Sequence, residues 1–368
     1  MTGIRKISCF QISAEEGKRM RKKIPAVVFL IVLLCLLSGC SGGKKDTVQT
    51  VKIGVTLYDQ YDTFISEMMS WFTASATALE EETGMAINLE IVDAAGSQTT
   101  QNEQVKSLIE KGCDVICVNL VDRTEPTTIT DMAEKNDVPI IFFNRELVTE
   151  DLERWKKLYY VGADAIGSGI IQGELAAEAF LGDEKYDKNG DGICQYVVLE
   201  GEAGHQDAIV RTEYSVNTLV ENGVKVEKLG YAIANWKRAQ AQTKMAALLE
   251  QYGNSIELIL TNNDDMALGA IDALKAAGTS KNDWPLIVGI DGTDVGLTAV
   301  KNGEMAGTAY NDKEGQAEAM LKLAFVLSGK DAKNGLSMDD IPLEKEKYVR
   351  LPYYRVTLDN VEEYIKKA

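Results

Sequence analysis

Residues 51–57 read Val-Lys-Ile-Gly-Val-Thr-Leu, a short β-branched run followed by a helical pattern from Asp62 to Glu82 and then by a second apolar run, Ile87 to Val92. Runs of four to eight residues rich in Val and Ile read as buried strands, and the longer amphipathic stretch between them reads as a helix. The alternation continues with strands at Val115 to Val118 and Val138 to Phe143 and helices at Thr99 to Lys111 and Thr127 to Lys135. A second series follows, with strands near Gln195 to Leu199, Val224 to Tyr231, Leu258 to Leu260 and Leu286 to Ile290. Strands that alternate with helices form parallel sheets covered on both faces. Two such series predict an α/β chain of two doubly wound lobes.

In open α/β sheets, ligands bind beyond the carboxyl ends of the strands. The residues found there are polar: Thr56 to Phe64, Asn144-Arg145-Glu146, Glu202 to Arg211, Asn262-Asn263-Asp264, Asp291 and Asn311-Asp312. Asn, Asp, His and Arg suit hydroxyl groups better than phosphates, and the chain holds neither a P-loop nor a G-x-G-x-x-G run.

Asp187 to Gln195 reads Asp-Lys-Asn-Gly-Asp-Gly-Ile-Cys-Gln. Oxygen donors stand at loop positions 1, 3, 5 and 9, Gly192 at position 6 and the Ile193 carbonyl at position 7, as in the first nine residues of an EF-hand calcium loop. The competing reading is a solvated Asn/Gly/Asp turn; the register of the donors favours calcium. Position 12 is Val198, which cannot ligate, so the last carboxylate must come from elsewhere.

The amino-terminal segment reads as an export signal. Arg21, Lys22 and Lys23 precede the apolar run Ile24 to Leu37, which is shorter than the roughly 20 residues of a membrane span. Leu37-Ser38-Gly39-Cys40 then resembles a bacterial lipobox, which implies cleavage before Cys40 and a lipid on its thiol. Met20 is an alternative start to Met1. Loss of residues 1–39, which carry seven Lys/Arg and two Glu, would move the formal charge from −17 to −22. Such an acidic surface argues against nucleic acid and against adhesion to anionic lipid, so any membrane tether would be the lipid itself. Cys113, Cys117 and Cys194 read as buried thiols; on a strand, the first two would lie roughly 13 Å apart, too far to bridge.

Several segments together carry a family resemblance: Ile-Gly-Val-Thr-Leu-Tyr (53–58), Ile-Phe-Phe-Asn-Arg-Glu (141–146), the calcium loop, Gly-Glu-Ala-Gly-His-Gln-Asp-Ala (201–208), Thr-Asn-Asn-Asp-Asp-Met-Ala (261–267) and Val-Gly-Ile-Asp-Gly (288–292). From about residue 51 onward the chain resembles the galactose/glucose-binding proteins of methyl-galactoside ABC transporters. The resemblance implies the type I periplasmic-binding-protein fold, two Rossmann-like lobes joined by a three-segment hinge. The implied lobes are 51–163 with 311–348, and 164–310 with 349–368, after a signal peptide (1–39) and a linker (40–50). It further implies a pyranose held between Phe64 and Trp236, with a polar shell of Asp62, Asn144, His205, Asp207, Arg211, Asn263, Asp291 and Asn311. The aromatic pair makes chemical sense because the C–H faces of a sugar are apolar.

Considered singly, these residues have plainer readings. Phe64 would be a core residue, Trp236 a surface aromatic, and Asp62, Asp207 or Asn263 helix N-caps; Asp207 with Arg211 would be a surface i,i+4 pair. The same resemblance supplies Glu257 as the missing calcium ligand beside Asp187, Asn189, Asp191, the Ile193 carbonyl and Gln195. Gln206, Tyr61 and Arg145 depart from the family pattern, and none is expected at a contact.

The expected function is a monomeric, non-enzymatic receptor, lipid-anchored outside the cell, that hands D-galactose or D-glucose to the permease and ATPase subunits of an ABC importer. A chemotaxis receptor is a further candidate partner. The alternatives are a binding protein for ribose or a furanosyl signal, a glycosidase using paired carboxylates such as Asp62 and Asp291, and a sugar-responsive repressor.

Overall fold

The structure is a computed structural model that describes residues 49–330 and 335–365. The leader, Cys40 and linker residues 40–48 lie outside the described residues, and among the described ones no helix is long and apolar enough to cross a membrane.

The first series runs β1 (Thr50–Leu57), α1 (Thr63–Thr83), β2 (Ala86–Asp93), α2 (Gln98–Glu110), β3 (Val115–Val118), α3 (Thr127–Asn136), β4 (Ile140–Phe143), α4 (Thr149–Glu153) and β5 (Leu158–Ala163). The second runs α5 (Ala165–Gly182), β6 (Ile193–Glu200), α6 (Gln206–Glu221), β7 (Lys225–Ile233), α7 (Arg238–Tyr252), β8 (Leu258–Thr261), α8 (Asp264–Ala276), β9 (Leu286–Asp291), α9 (Asp294–Lys301) and β10 (Gly307–Asn311). The chain ends through α10 (Lys313–Leu327), β11 (Tyr348–Leu351), β12 (Tyr353–Thr357) and α11 (Val361–Ile365).

Two six-stranded sheets result, ordered β2-β1-β3-β4-β5-β11 and β7-β6-β8-β9-β10-β12. The first is parallel throughout, and the second has one antiparallel edge strand, β12 on β10. β3, β4, β8 and β9 are buried along their whole length, whereas the edge strands β2 and β7 are only half-buried. Continuous apolar runs therefore mark central strands covered by helices on both faces. Phe64, Ile65, Met68 and Phe72 of α1 and Met320, Leu321 and Phe325 of α10 fill one face of the first sheet. At roughly 1.5–3 kcal/mol for each fully buried large side chain, this cluster is a principal term in that lobe's stability.

The chain changes sheets three times, after Ala163, after Asn311 and at Pro352. The last two differ from the expected boundaries. Asn311 is the final residue of β10, opposite Tyr353, and Val349 pairs with Val161 in the first sheet, so the third crossing lies at Pro352 and not near Val349. Pro352 can donate to neither ladder, which makes it a natural break between β11 and β12. In each sheet the strand order reverses beside β1 and beside β6, and the turns leaving these strands face each other.

Candidate functional site

A narrow cleft of about 40 Å³ between the lobes is lined by Tyr58, Asp62, Phe64, Asn144 and Arg145 from the first lobe and by His205, Asp207, Arg211, Trp236, Asn263 and Asp291 from the second. Of the ten sugar positions read from the sequence, the structure brings nine to this cleft. Asn311 stands behind it: its Oδ1 accepts from Gln316 Nε2 at 2.6 Å, and its side chain hydrogen-bonds to Asp291.

Strand-to-helix turns place these groups. Asp62 caps α1 by accepting the Ile65 N–H at 3.0 Å, and Asn263 caps α8 by accepting the Met266 N–H at 2.9 Å. Both residues thus hold a helix start and line the cleft. Asp207 does not cap; His205 does, through Nδ1, which accepts the Asp207 N–H at 3.2 Å. That bond assigns the ring proton to Nε2, leaving a donor for the cleft. Asn144, Trp236 and Asp291 stand on left-handed backbone, with φ of 60°, 63° and 111°. Such conformations cost of order 1–3 kcal/mol each outside glycine and collect where side chains must be aimed.

Trp236 is buried beside Gly201, where a Cβ would come within 2.2 Å of the indole. His205 meets it edge-on, with ring centres 5.2 Å apart. Phe64 belongs to the first lobe's core as well as to the cleft, so its plainer reading and its site reading coexist.

Arg211 organises the charges. It is 4% exposed; Nη1 donates to the Asn262 carbonyl at 2.8 Å and Nη2 to the Tyr353 hydroxyl at 2.9 Å. Nη2 also lies 3.6 Å from Asp291 and 3.8 Å from Asp207. Its Nε–H, equally buried, has no partner. Leaving such a donor unmatched costs about 1–3 kcal/mol, which a ligand oxygen would recover. Burial works against the charge of Arg211, but Tyr353, Asp291 and Asp207 outweigh it and raise its pKa. Burial also raises Asp291 and Asp207 above the usual carboxylate range despite the opposing pull of Arg211. Burial, with the nearby Arg145, Arg211 and Arg123, takes His205 down to about 2, so the imidazole is neutral at any physiological pH.

Tyr58 and Arg145 were not among the expected contacts. The Tyr58 hydroxyl donates to Asp62, and the Arg145 guanidinium lies 3.7 Å above the Tyr58 ring while pairing with Glu202 of the second lobe at 3.0 Å. Arg145, a departure from the family pattern, thus lines the cleft without being one of the ten sugar positions read from the sequence. Gln206, another departure, accepts from Arg123 across the lobes at 2.6 Å. The available signal was position, since Tyr58 directly follows β1 and Arg145 lies two residues past β4.

In the 187–195 loop, Asp187 accepts the N–H groups of Asp191 and Gly192 at 3.1 and 3.0 Å, and the buried Glu257 accepts those of Lys188 and Gln195 at 2.6 and 3.1 Å. The amides of Asn189 and Gln195 donate to Asp191 at 3.0 and 3.1 Å. Gly190 and Gly192 both adopt φ of 74°, which the tight turn requires. Among the described residues, no three His, Cys, Asp or Glu groups are clustered as a metal site. The oxygen-rich set is nevertheless of the hard-donor kind that calcium takes, and Glu257 joins it from β8's approach. Cys113, Cys117 and Cys194 are free and buried.

Comparison with known proteins places these observations. A family model described as a periplasmic binding protein domain matches residues 53–331. The chain is 36% identical over 317 residues to the D-galactose/methyl-galactoside binding periplasmic protein of Haemophilus influenzae, covering 86% of this chain and 92% of that one. It is 32% identical to a xylitol-binding protein of Mycolicibacterium smegmatis, over 81% of this chain and 78% of that one. Among solved structures, an ABC transporter solute binding protein from Bacillus halodurans with bound myo-inositol superposes with a TM-score of 0.70 at 28% identity, over 88% of this chain and 100% of that one.

Proposed function

This chain belongs to the periplasmic binding protein family, a family of non-enzymatic solute-binding transport components, and from that premise we propose that it captures D-galactose or D-glucose and delivers it to the permease and ATPase subunits of an ABC importer. The observation that carries the reading is the unpartnered Nε–H of Arg211, buried in a cleft where Asp62, Asn144, His205, Asp207, Asn263 and Asp291 converge beside Trp236. A neutral imidazole, planar amides and carboxylates pair with adjacent hydroxyls two at a time, and such a site rejects analogues that lack a hydroxyl. The name of the Haemophilus relative supports galactose.

Closure of the lobes would couple capture to delivery, because both lobes contribute to the site and a ligand touching both favours the closed state. Arg145 with Glu202 and Arg123 with Gln206 are contacts that closure brings together. A second reading, another polyol, draws on the xylitol and myo-inositol of the two other relatives. A thermal-shift panel of D-galactose, D-glucose, D-ribose, xylitol and myo-inositol tests both. Stabilisation by a hexose above all others supports the first reading; stabilisation by a non-hexose alone replaces it with the second.

We also propose that Asp187, Asn189, Asp191, the Ile193 carbonyl, Gln195 and Glu257 hold a structural calcium ion, with the two amides turning their oxygens inward. Calcium there would tie the loop before β6 to the start of β8 and would not touch the sugar. The proposed location is the outer face of the cell membrane, through a lipid on Cys40. Mass spectrometry of the membrane fraction tests this: an unmodified, soluble chain would count against it.

A further inference from the structure

The turn after β9 carries Asp291 into the cleft at φ 111° and continues through Gly292 at φ 65°. Two successive residues of positive φ, the first an aspartate, need a fixed partner to hold them. Asp264 is that partner. It opens α8 next to the cleft residue Asn263 and is completely buried. Its Oδ2 accepts the Thr293 N–H at 2.9 Å, its Oδ1 accepts the Thr308 hydroxyl of β10 at 2.7 Å, and the Gly292 N–H also donates to it.

The surroundings are shaped for this carboxyl group. A Cβ at Gly289 would stand 2.2 Å from Oδ1 and one at Gly296 2.1 Å from Oδ2, so a side chain at either position would displace it. Burial pushes its pKa up to about 7, against the opposing hydrogen bonds from Thr308, Thr293 and Gly292. A buried carboxyl is an expensive way to fill a core position, and an apolar residue of similar size would pack at lower cost. The expense makes sense if the group does something packing cannot.

We propose that Asp264 is a positioning residue for the ligand: by gathering the Gly292 and Thr293 N–H groups and the Thr308 hydroxyl, it holds the 291–293 turn so that Asp291 faces the cleft beside Arg211 before a ligand enters. This rests on the hexose reading, in which Asp291 meets the sugar. A residue that acts through Asp291 loses its effect once Asp291 no longer contributes, whereas a residue that merely supports the fold costs the same in either background.

The test is a double-mutant cycle read by calorimetric titration with D-galactose and with D-glucose, using wild type, Asp264→Asn, Asp291→Asn and the double variant, with circular dichroism to verify folding. The expected result is at least a ten-fold loss of affinity for Asp264→Asn alone and less than a further two-fold loss when it is added to Asp291→Asn. Equal losses in both backgrounds would overturn the positioning role. Asp291→Asn binding as tightly as wild type would overturn the cleft reading and the positioning role with it, a distinguishable failure. If Asp264→Asn does not fold, Thr308→Val, which removes one donor to the carboxyl group, carries the same cycle with the same criteria.

Discussion

Lys313→Met removes a charge from the contact between the lobes, and its effect can be worked from the structure. Lys313 opens α10 in the first lobe with its side chain 2% exposed; its Nζ pairs with Glu67 of α1 and, at 2.6 Å, with Asp294 at the start of α9 in the second lobe. Glu67 also accepts the Asp294 N–H at 3.0 Å. Without the ammonium, Glu67 would face the Asp294 carboxylate with no cation between them. Breaking a fully buried pair costs roughly 3–5 kcal/mol. Asp294 is half exposed, so solvent screens part of the interaction, and about 2 kcal/mol is the appropriate figure. Because opening the lobes would separate Glu67 from Asp294, the closed, ligand-bound state bears this cost. A loss of about 2 kcal/mol is roughly a 30-fold weaker hexose affinity. Calorimetric titration of Lys313→Met against wild type reads it directly, with thermal unfolding of the ligand-free forms reporting any cost within the first lobe. Affinity within two-fold of wild type would show that the Lys313 contact plays no part in closure.

Three further outcomes follow from the geometry. Trp236→Ala, which removes a buried aromatic wall, should cost ~2–4 kcal/mol of binding, or ~30–1,000-fold in affinity; unchanged titration would remove the stacking role. His205 is neutral in the fold down to about pH 2, whereas in the unfolded chain it protonates below 6.5. Its contribution to stability is therefore full above pH 6.5 and falls as the pH drops toward 2, by about 1.4 kcal/mol per pH unit. Asp264, with its folded value raised to about 7, acts in the opposite sense, stabilising below pH 3.8 and losing that contribution as pH rises through 7. Comparing His205→Gln with wild type at each pH isolates the histidine: the variant should lose less stability between pH 6.5 and 4.5, and parallel curves would contradict the buried neutral imidazole. Chelation should lower the thermal midpoint by several degrees, since calcium at 1,000 times its Kd is worth about 4 kcal/mol, while leaving hexose affinity largely intact. An unchanged midpoint with abolished hexose binding would reverse the structural assignment.

The central strands were legible because burial on both faces demands uninterrupted apolar runs, as in Val115 to Val118 and Ile140 to Phe143. β5, β11 and β12 escaped because Tyr, Gly, Ala, Arg and Thr interrupt their apolar runs and they join the sheets beside the crossings. β11 finds its partner in β5, far back along the chain, and that pairing cannot be read from local periodicity. At the site, position after a strand pointed to the right segments, but the roles within them came from the family resemblance. His205 and not Asp207 caps α6 because only the backbone path decides which of these nearby polar residues faces the helix start. Arg145 is not expected at a contact from the sequence, yet its planar guanidinium lies over Tyr58 and reaches Glu202, an arrangement that only the folded backbone reveals.

The most direct test of the account is calorimetric titration of the protein from Ser41 onward with D-galactose and with D-glucose, repeated on Arg211→Lys, which keeps the charge but lacks the Nε–H donor. The account predicts one-to-one binding of at least one hexose by the wild type and a loss of about 5- to 150-fold in the variant. Silence toward both hexoses, or equal affinity in the two proteins, would contradict the claim that the buried Nε–H awaits a sugar oxygen.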